Sequence, residues 1–131
     1  MVNFTELDVW KKSRELANDI YSITKSFPKE ELFGLTNQMR RAAVSVVSNI
    51  AEGCGRQHTK DAIQFFYIAR GSAFELEAQV LIAYDQKYLA ESILESTLEQ
   101  LAKCKQLLNG FINYYKNRSA KNDTRNTNNE Q

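Results

Sequence analysis

Proline is almost missing from this chain of 131 residues: Pro28 stands alone, and five glycines are the only other strong helix breakers. Long windows without a breaker favour helix over a turn-rich β fold. Histidine is scarcer still, with His58 the single one, and Cys54 and Cys104 lie far apart without metal-type spacing. Two such thiols suit a reducing compartment better than a disulfide scaffold. Long hydrophobic runs are lacking too. AAVSVVSNIA is too short and too polar to span a bilayer, and MVNFTELDVWKK sets charges where a signal peptide needs an apolar run. A cytoplasmic protein is therefore expected. Excess charge of either sign is also absent, since 17 Lys and Arg meet 16 Asp and Glu for a net +1. A general nucleic-acid binder usually has a strongly basic domain, so any phosphate-binding surface here must arise by segregation of charge.

What is present is helical periodicity. The first window runs from about Glu6 to Ser26, with Thr5 as its expected N-cap and Asp8 three residues on. Val9, Leu16, Ile20, Ile23 and Phe27 recur at helical spacing, and Trp10, Ala17 and Tyr21 widen the stripe. SFPKEELFG breaks the chain. The second window, about Leu35 to Glu52, ends at Gly53 or Gly55, either of which offers the left-handed residue that commonly closes a helix. The third starts after Thr59, with Asp61 in its first turn, and reaches about Gln86; the fourth spans about Glu91 to Tyr115. The polar, Asn-rich residues 117–131 have little to bury and are expected to be a disordered tail. Four amphipathic helices with short connections, in residues 1–116, predict an all-α fold: an up-and-down antiparallel four-helix bundle.

The polar residues woven into SVVSNIAEGCGR need placing. At about 100° per residue, Arg41, Ser45, Ser48 and Glu52 fall on one line, opposite a core face of Leu35, Met39, Ala42, Ala43, Val46, Val47 and Ile50. Asn49 sits at the border. On the third helix, Ala62, Ile63, Phe66, Ala69, Ala73, Phe74, Leu76, Val80, Leu81 and Tyr84 form a broad core stripe, and Arg70 and Glu77 project inside it. A partly buried ion is costly without a partner, so Arg70 is expected to pair with Glu52, Glu77 or a carboxylate of another subunit. Asn49, Glu52, Arg70 and Glu77 thus form a candidate structural polar network. The back of the same helix carries Ile68, Gly71, Ser72, Ala78 and Ile82, and a helix apolar on two sides usually has two sets of neighbours. These five residues are the candidate interface of a homo-oligomer.

Catalytic chemistry finds little support. EGCGRQHTK has neither GxxxxGK[ST] nor GxGxxG spacing and no strand before it. Cys54 and His58 are four apart, but two ligands do not make a zinc site. Neither a Ser-His-Asp nor a Cys-His-Asn set is present, so no catalytic, cofactor or metal residues are assigned. What remains is charge. Lys11, Lys12 and Arg14 cluster on the first helix, Arg40 and Arg41 on the second, and Arg56 and Lys60 flank the turn after it; these seven are the candidate nucleic-acid contacts. In a symmetric ring a modest patch is multiplied, which raises avidity without a basic monomer.

LTNQMRRAAVSVVSNIAEGCGR followed by FYIARGSAFELEAQ is a long ordered pair of motifs. With them, the chain before the tail resembles the four-helix-bundle proteins first named for genes inside intervening sequences of bacterial 23S ribosomal RNA. The resemblance implies a closed homo-oligomeric ring of five bundles and supplies no catalytic assignment. It also brings a similar group, the accessory variability protein of diversity-generating retroelements, a pentameric bundle that associates with a reverse transcriptase and with nucleic acid. Family motif positions here are Arg40, Arg41, Ser45, Asn49, Glu52, Gly53, Arg56, Arg70, Gly71, Ser72 and Glu77. Two functions follow as expectations: a non-enzymatic oligomeric scaffold that binds nucleic acid or a nucleoprotein of reverse-transcriptase type through Arg/Lys patches, or a protein-protein interaction module with no nucleic-acid role.

Overall fold

The structure, a computed structural model, describes residues 3–129, with side chains described as far as residue 120. Four α-helices carry it: α1 (Asp8–Thr24), α2 (Asn37–Cys54), α3 (Thr59–Asp85) and α4 (Glu91–Asn129), with no strand among the described residues. α1 packs on α2 and α4, α2 on α3, and α3 on α4, which closes the circuit of neighbours. Cross-helix contacts give the direction. Ser45 of α2 meets Ser72 of α3 while Gly53 lies against Phe66, so one number rises as the other falls. Glu77 with Lys105 and Arg70 with Asn109 repeat that antiparallel pattern between α3 and α4.

The helix ends differ in detail from the expected ones. Asn3, not Thr5, does the capping: its side-chain oxygen accepts from the Thr5 amide at 3.2 Å and hydroxyl at 2.6 Å, heading a 3₁₀ turn over Phe4–Glu6. α1 then opens behind Leu7 without a side-chain cap. After Pro28 come a 3₁₀ turn, Lys29–Glu31, and a π-type turn, Leu32–Thr36, in which Gly34 leaves helical geometry at φ -110° and ψ -116°. α2 therefore starts after the expected Leu35, and Phe33 is left 91% exposed. α4 outruns its expected end at Tyr115. The residues from Asn117, expected to be disordered, continue as helical backbone to Asn129, since no Gly or Pro after Gly110 stops the helix. Glu130 and Gln131 lie outside the described residues.

Neither glycine at the end of α2 is left-handed. Gly55 sits at φ -84° and ψ -3°, and no described glycine has a positive φ. Gly53 is needed for space instead. It is buried inside α2, where an added Cβ would run into the Phe66 ring and stand 2.9 Å from the Ala62 carbonyl oxygen. The left-handed residue is Lys87, φ 65°, just past α3, where the Tyr88 amide bonds back to the Ala83 carbonyl at 2.9 Å.

The core is built from the expected faces. Leu16 and Ile20 of α1, Met39, Val46 and Ile50 of α2, Phe66 and Leu76 of α3, and Leu101, Leu108 and Ile112 of α4 are fully buried. α3 adds four buried alanines, Ala62, Ala69, Ala73 and Ala83, which let its neighbours come close. At one end the Phe66 ring stands 4.9 Å from Phe111 and 4.8 Å from Tyr115, tilted and edge-on, the favourable arrangements for aromatic quadrupoles. Phe74, Leu81 and Tyr84 correct the expected stripe: all three are exposed. A helix at one corner of a bundle faces only two neighbours, so its buried arc is narrower than its apolar arc.

The role of Gly53 is testable by urea unfolding. Gly53→Ala should lose about 1–3 kcal/mol through overpacking. Gly55→Ala, whose Cβ would meet nothing nearer than 3.5 Å, should be neutral or stabilising by under about 1 kcal/mol.

Candidate functional site

The seven candidate cations divide between the two ends of the bundle. Arg40 and Arg41 lie in the first turns of α2, whereas Arg56 and Lys60 lie past its last turn. At 1.5 Å per residue, Arg41 and Arg56 are about 22 Å apart along the helix axis. That distance is well over twice the Debye length of about 8 Å at physiological salt, so the two ends act as separate patches. Antiparallel packing sets Lys11, Lys12 and Arg14, in the first turns of α1, at the end that also holds the last turn of α2.

Several of these cations are already engaged. Arg40 is a clamp: its Nε donates to the Thr24 hydroxyl at 2.9 Å, its Nη2 reaches the Tyr21 carbonyl at 3.5 Å, and its guanidinium stacks 4.8 Å from the Tyr21 ring. A cation there also meets the negative end of the α1 dipole. Arg56 pairs with Glu52 one turn back at 2.7 Å and lies over Phe65 at 4.4 Å. Lys12 approaches Glu15 at 3.5 Å, with both side chains well exposed, so the pair adds little. Arg14 covers the Trp10 ring at 5.4 Å. Lys11, Arg41 and Lys60 are exposed, and none has an ion pair among the described residues.

The expected polar network does not form as one unit. Glu52 turns to Arg56, while Glu77 accepts from Lys105 of α4 at 2.6 Å in a half-buried pair, with Lys105 also 4.4 Å from the Phe74 ring. Arg70 has no acidic partner among the described residues. Its Nη1 donates to the Asn109 side-chain oxygen at 3.2 Å, and its guanidinium stacks over Tyr67 at 4.9 Å. Arg70 and Glu77 lie two turns apart at the edge of the core stripe rather than inside it, and there each meets a polar residue of α4. Asn49 belongs to a different cluster: its amide donates to the Ser45 carbonyl at 2.8 Å and hydroxyl at 3.0 Å, and Ser45 shares a hydrogen bond with Ser72 at 2.8 Å.

That bond removes Ser72 from the expected oligomer interface, because it is buried on the α2 side. The other four stay outside. Ile68 and Ile82 are 51% and 50% exposed, Gly71 and Ala78 are exposed, and Phe74 and Leu81, at 55% and 43%, join the same outer arc of α3. Periodicity found the arc but assigned Phe74 and Leu81 to the core.

Outside α2, two clefts flank Arg41. One, about 580 Å³, is lined by Tyr21, Arg40, Val44, Ser48 and Asn49. The other, about 560 Å³, is lined by Phe33, Gln38, Ala42, Ser72 and Glu75. Asn37, Arg41 and Ser45, spaced one turn apart, border both. Phe33 and Glu75 were not singled out in the sequence, where nothing marks a residue after a loop break or a carboxylate on a helix back. His58 is exposed while Cys54 is buried, and among the described residues no group of three or more His, Cys, Asp or Glu could hold a metal ion. No described helix is long and apolar enough to cross a membrane.

The geometry defines an all-α helical-bundle protein with an apolar outer arc on α3 and candidate cations at both ends. The chain belongs to the family of 23S rRNA-intervening sequence proteins, whose model matches residues 5–110. It is similar to a protein of unknown function from the S23 ribosomal protein family of Bacteroides thetaiotaomicron, solved by crystallography, with 27% identity and a TM-score of 0.75 over 80% of this chain and 95% of that one. No curated protein matches the chain.

Burial pushes both thiols above their ordinary value; hydrogen bonds to Tyr115 for Cys54 and to Ser13 for Cys104 oppose this only in part. An acid with a raised folded value stays protonated in the fold after the unfolded chain has begun to ionise, so stability falls as pH rises. Urea midpoints should therefore hold up to pH 9.0, the ordinary thiol value, and decline above it. Ellman's reagent should label both thiols slowly in the native protein and rapidly in urea.

Proposed function

We propose that the protein is a non-enzymatic, self-associating four-helix scaffold of the cytoplasm whose free cations hold a nucleic acid or a nucleoprotein partner. The observation that carries the self-association is the outer arc of α3, where Ile68, Phe74, Leu81 and Ile82 stand about half exposed beside Gly71 and Ala78. Burying each large side chain contributes on the order of 1–2 kcal/mol, so a second copy covering the arc gains several. A ring of five, as the family resemblance implies, would repeat each basic end five times. Arg41, Lys11 and Lys60 support the nucleic-acid part, because a cation without a carboxylate partner breaks no ion pair to meet a phosphate. A reverse-transcriptase-type nucleoprotein is the partner class the resemblance supplies. The outer arc favours one further reading, a module that receives a partner helix with no nucleic-acid role.

Native mass spectrometry tests the assembly. A species near five times 15.1 kDa is expected, with Ile68→Glu and Ile82→Glu together returning it to monomer; a wild-type monomer at micromolar concentration would sink the scaffold.

Binding to an RNA or DNA panel should weaken steeply with salt, and Arg41→Ala should lower both affinity and salt slope. Arg40→Ala should act chiefly on stability, by loosening α1 from α2. Absent or salt-insensitive binding, with a specific protein retained after nuclease treatment, would favour the interaction module.

A further inference from the structure

The cleft between α2 and α3 holds a combination of groups that a basic patch does not need. Glu75 and Arg41 both line the cleft, and neither has an ion-pair partner among the described residues. Glu75 is held from behind. The buried Gln79 amide donates to its Oε1 at 3.2 Å, and turning that amide round would set oxygen against oxygen. Phe33, the most exposed large apolar side chain described, borders the same cleft. Its ring is a flat surface of about the size of a base. The Ser45 and Ser72 hydroxyls, already bonded to one another, form part of the lining and keep it polar.

A cation, a preset carboxylate and a flat aromatic face together specify a ligand with a negative group, a π face and adjacent N–H donors. Guanine nucleotides have all three. The N1–H and N2–H₂ groups of guanine are parallel donors that one carboxylate can accept, whereas adenine and cytosine set an acceptor beside their amino group. In a duplex that edge is taken by cytosine, so the nucleotide must be unpaired, the state in which bases stack on aromatic side chains. A volume of about 560 Å³ is within the range for small ligands.

We propose that the cleft bordered by Phe33, Arg41 and Glu75 binds an unpaired guanine nucleotide of a single-stranded nucleic acid. Phe33 stacks on the base, Glu75 accepts from N1–H and N2–H₂, and Arg41 holds the phosphate. This assignment rests on the nucleic-acid function proposed above, requires that the copy covering Ile68 and Ile82 leave Glu75, which lies between them on α3, open to the cleft, and narrows that function from a charged surface to one base in single-stranded form.

The test is fluorescence anisotropy on the full chain at one salt concentration, using short labelled single strands in RNA and DNA versions. Guanine-containing strands should bind about tenfold or more tighter than guanine-free strands of equal length, and annealing the complement should abolish the difference. Inosine, which lacks the 2-amino group, should lower the preference. Glu75→Ala should erase the preference while leaving weaker, salt-dependent binding, and Phe33→Ala should weaken binding of guanine strands about tenfold. An unchanged urea midpoint in both variants excludes misfolding as the cause. Equal affinity for guanine-free strands, or full guanine preference in Glu75→Ala, overturns the cleft; if salt-dependent binding persists beside that result, the basic-surface function stands. Absence of binding to any strand overturns both.

Discussion

The close approach of α2 and α3 is the constraint on which the rest of the molecule depends. At Gly53 the two backbones come so near that the Phe66 ring and the Ala62 carbonyl occupy the space a Cβ would need. Further along the same seam, Ser45 and Ser72 touch through their hydroxyls, and the buried alanines of α3 continue the line of small side chains. Small residues on facing helices trade side-chain contact for backbone proximity. Phe66 fills the space this leaves at one end, leaning on Phe111 and Tyr115 of α4. The seam therefore ties three of the four helices together.

What the seam excludes from the interior appears on the surface. With one side of α3 committed to alanines, Phe66 and Leu76, four other large residues, Ile68, Phe74, Leu81 and Ile82, are turned outward. The loop before α2 has the same consequence on a smaller scale: Gly34 breaks the helical path, and Phe33 is left against solvent. Exposed apolar groups of this kind are costs to a monomer and assets to a protein that binds something. Polar groups at the bundle edge are treated differently. Glu77 and Arg70 find Lys105 and Asn109 on the neighbouring helix, and Arg40 ties α2 to the end of α1, so these charges serve the fold before any partner arrives.

Much of this was legible in the amino-acid order. Four windows of helical periodicity, the break at SFPKEELFG and the buried faces of Leu16, Val46 and Leu108 follow from spacing alone, because apolar residues three and four apart must share a side of a helix. The outer positions Ile68, Gly71, Ala78 and Ile82 also came from spacing. The motif pair on α2 and α3 carried the family as well, which the match over residues 5–110 bears out.

Tertiary structure alone decided the pairings. Periodicity gives the angle of a residue on its own helix and says nothing of which residue stands opposite, so Arg70 was expected to meet Glu52, Glu77 or a carboxylate of another subunit, and within the chain it meets Asn109. For the same reason Ser72 looked like an interface residue until Ser45 was found against it, and Phe74 and Leu81 looked like core. The two glycines at the end of α2 looked alike in the sequence, yet one is a spacer and the other a turn, because only packing shows what lies where a side chain would go. Local order determines helices and their faces; the angular offset between packed helices, which depends on every side chain at the contact, determines which faces meet and which clefts remain.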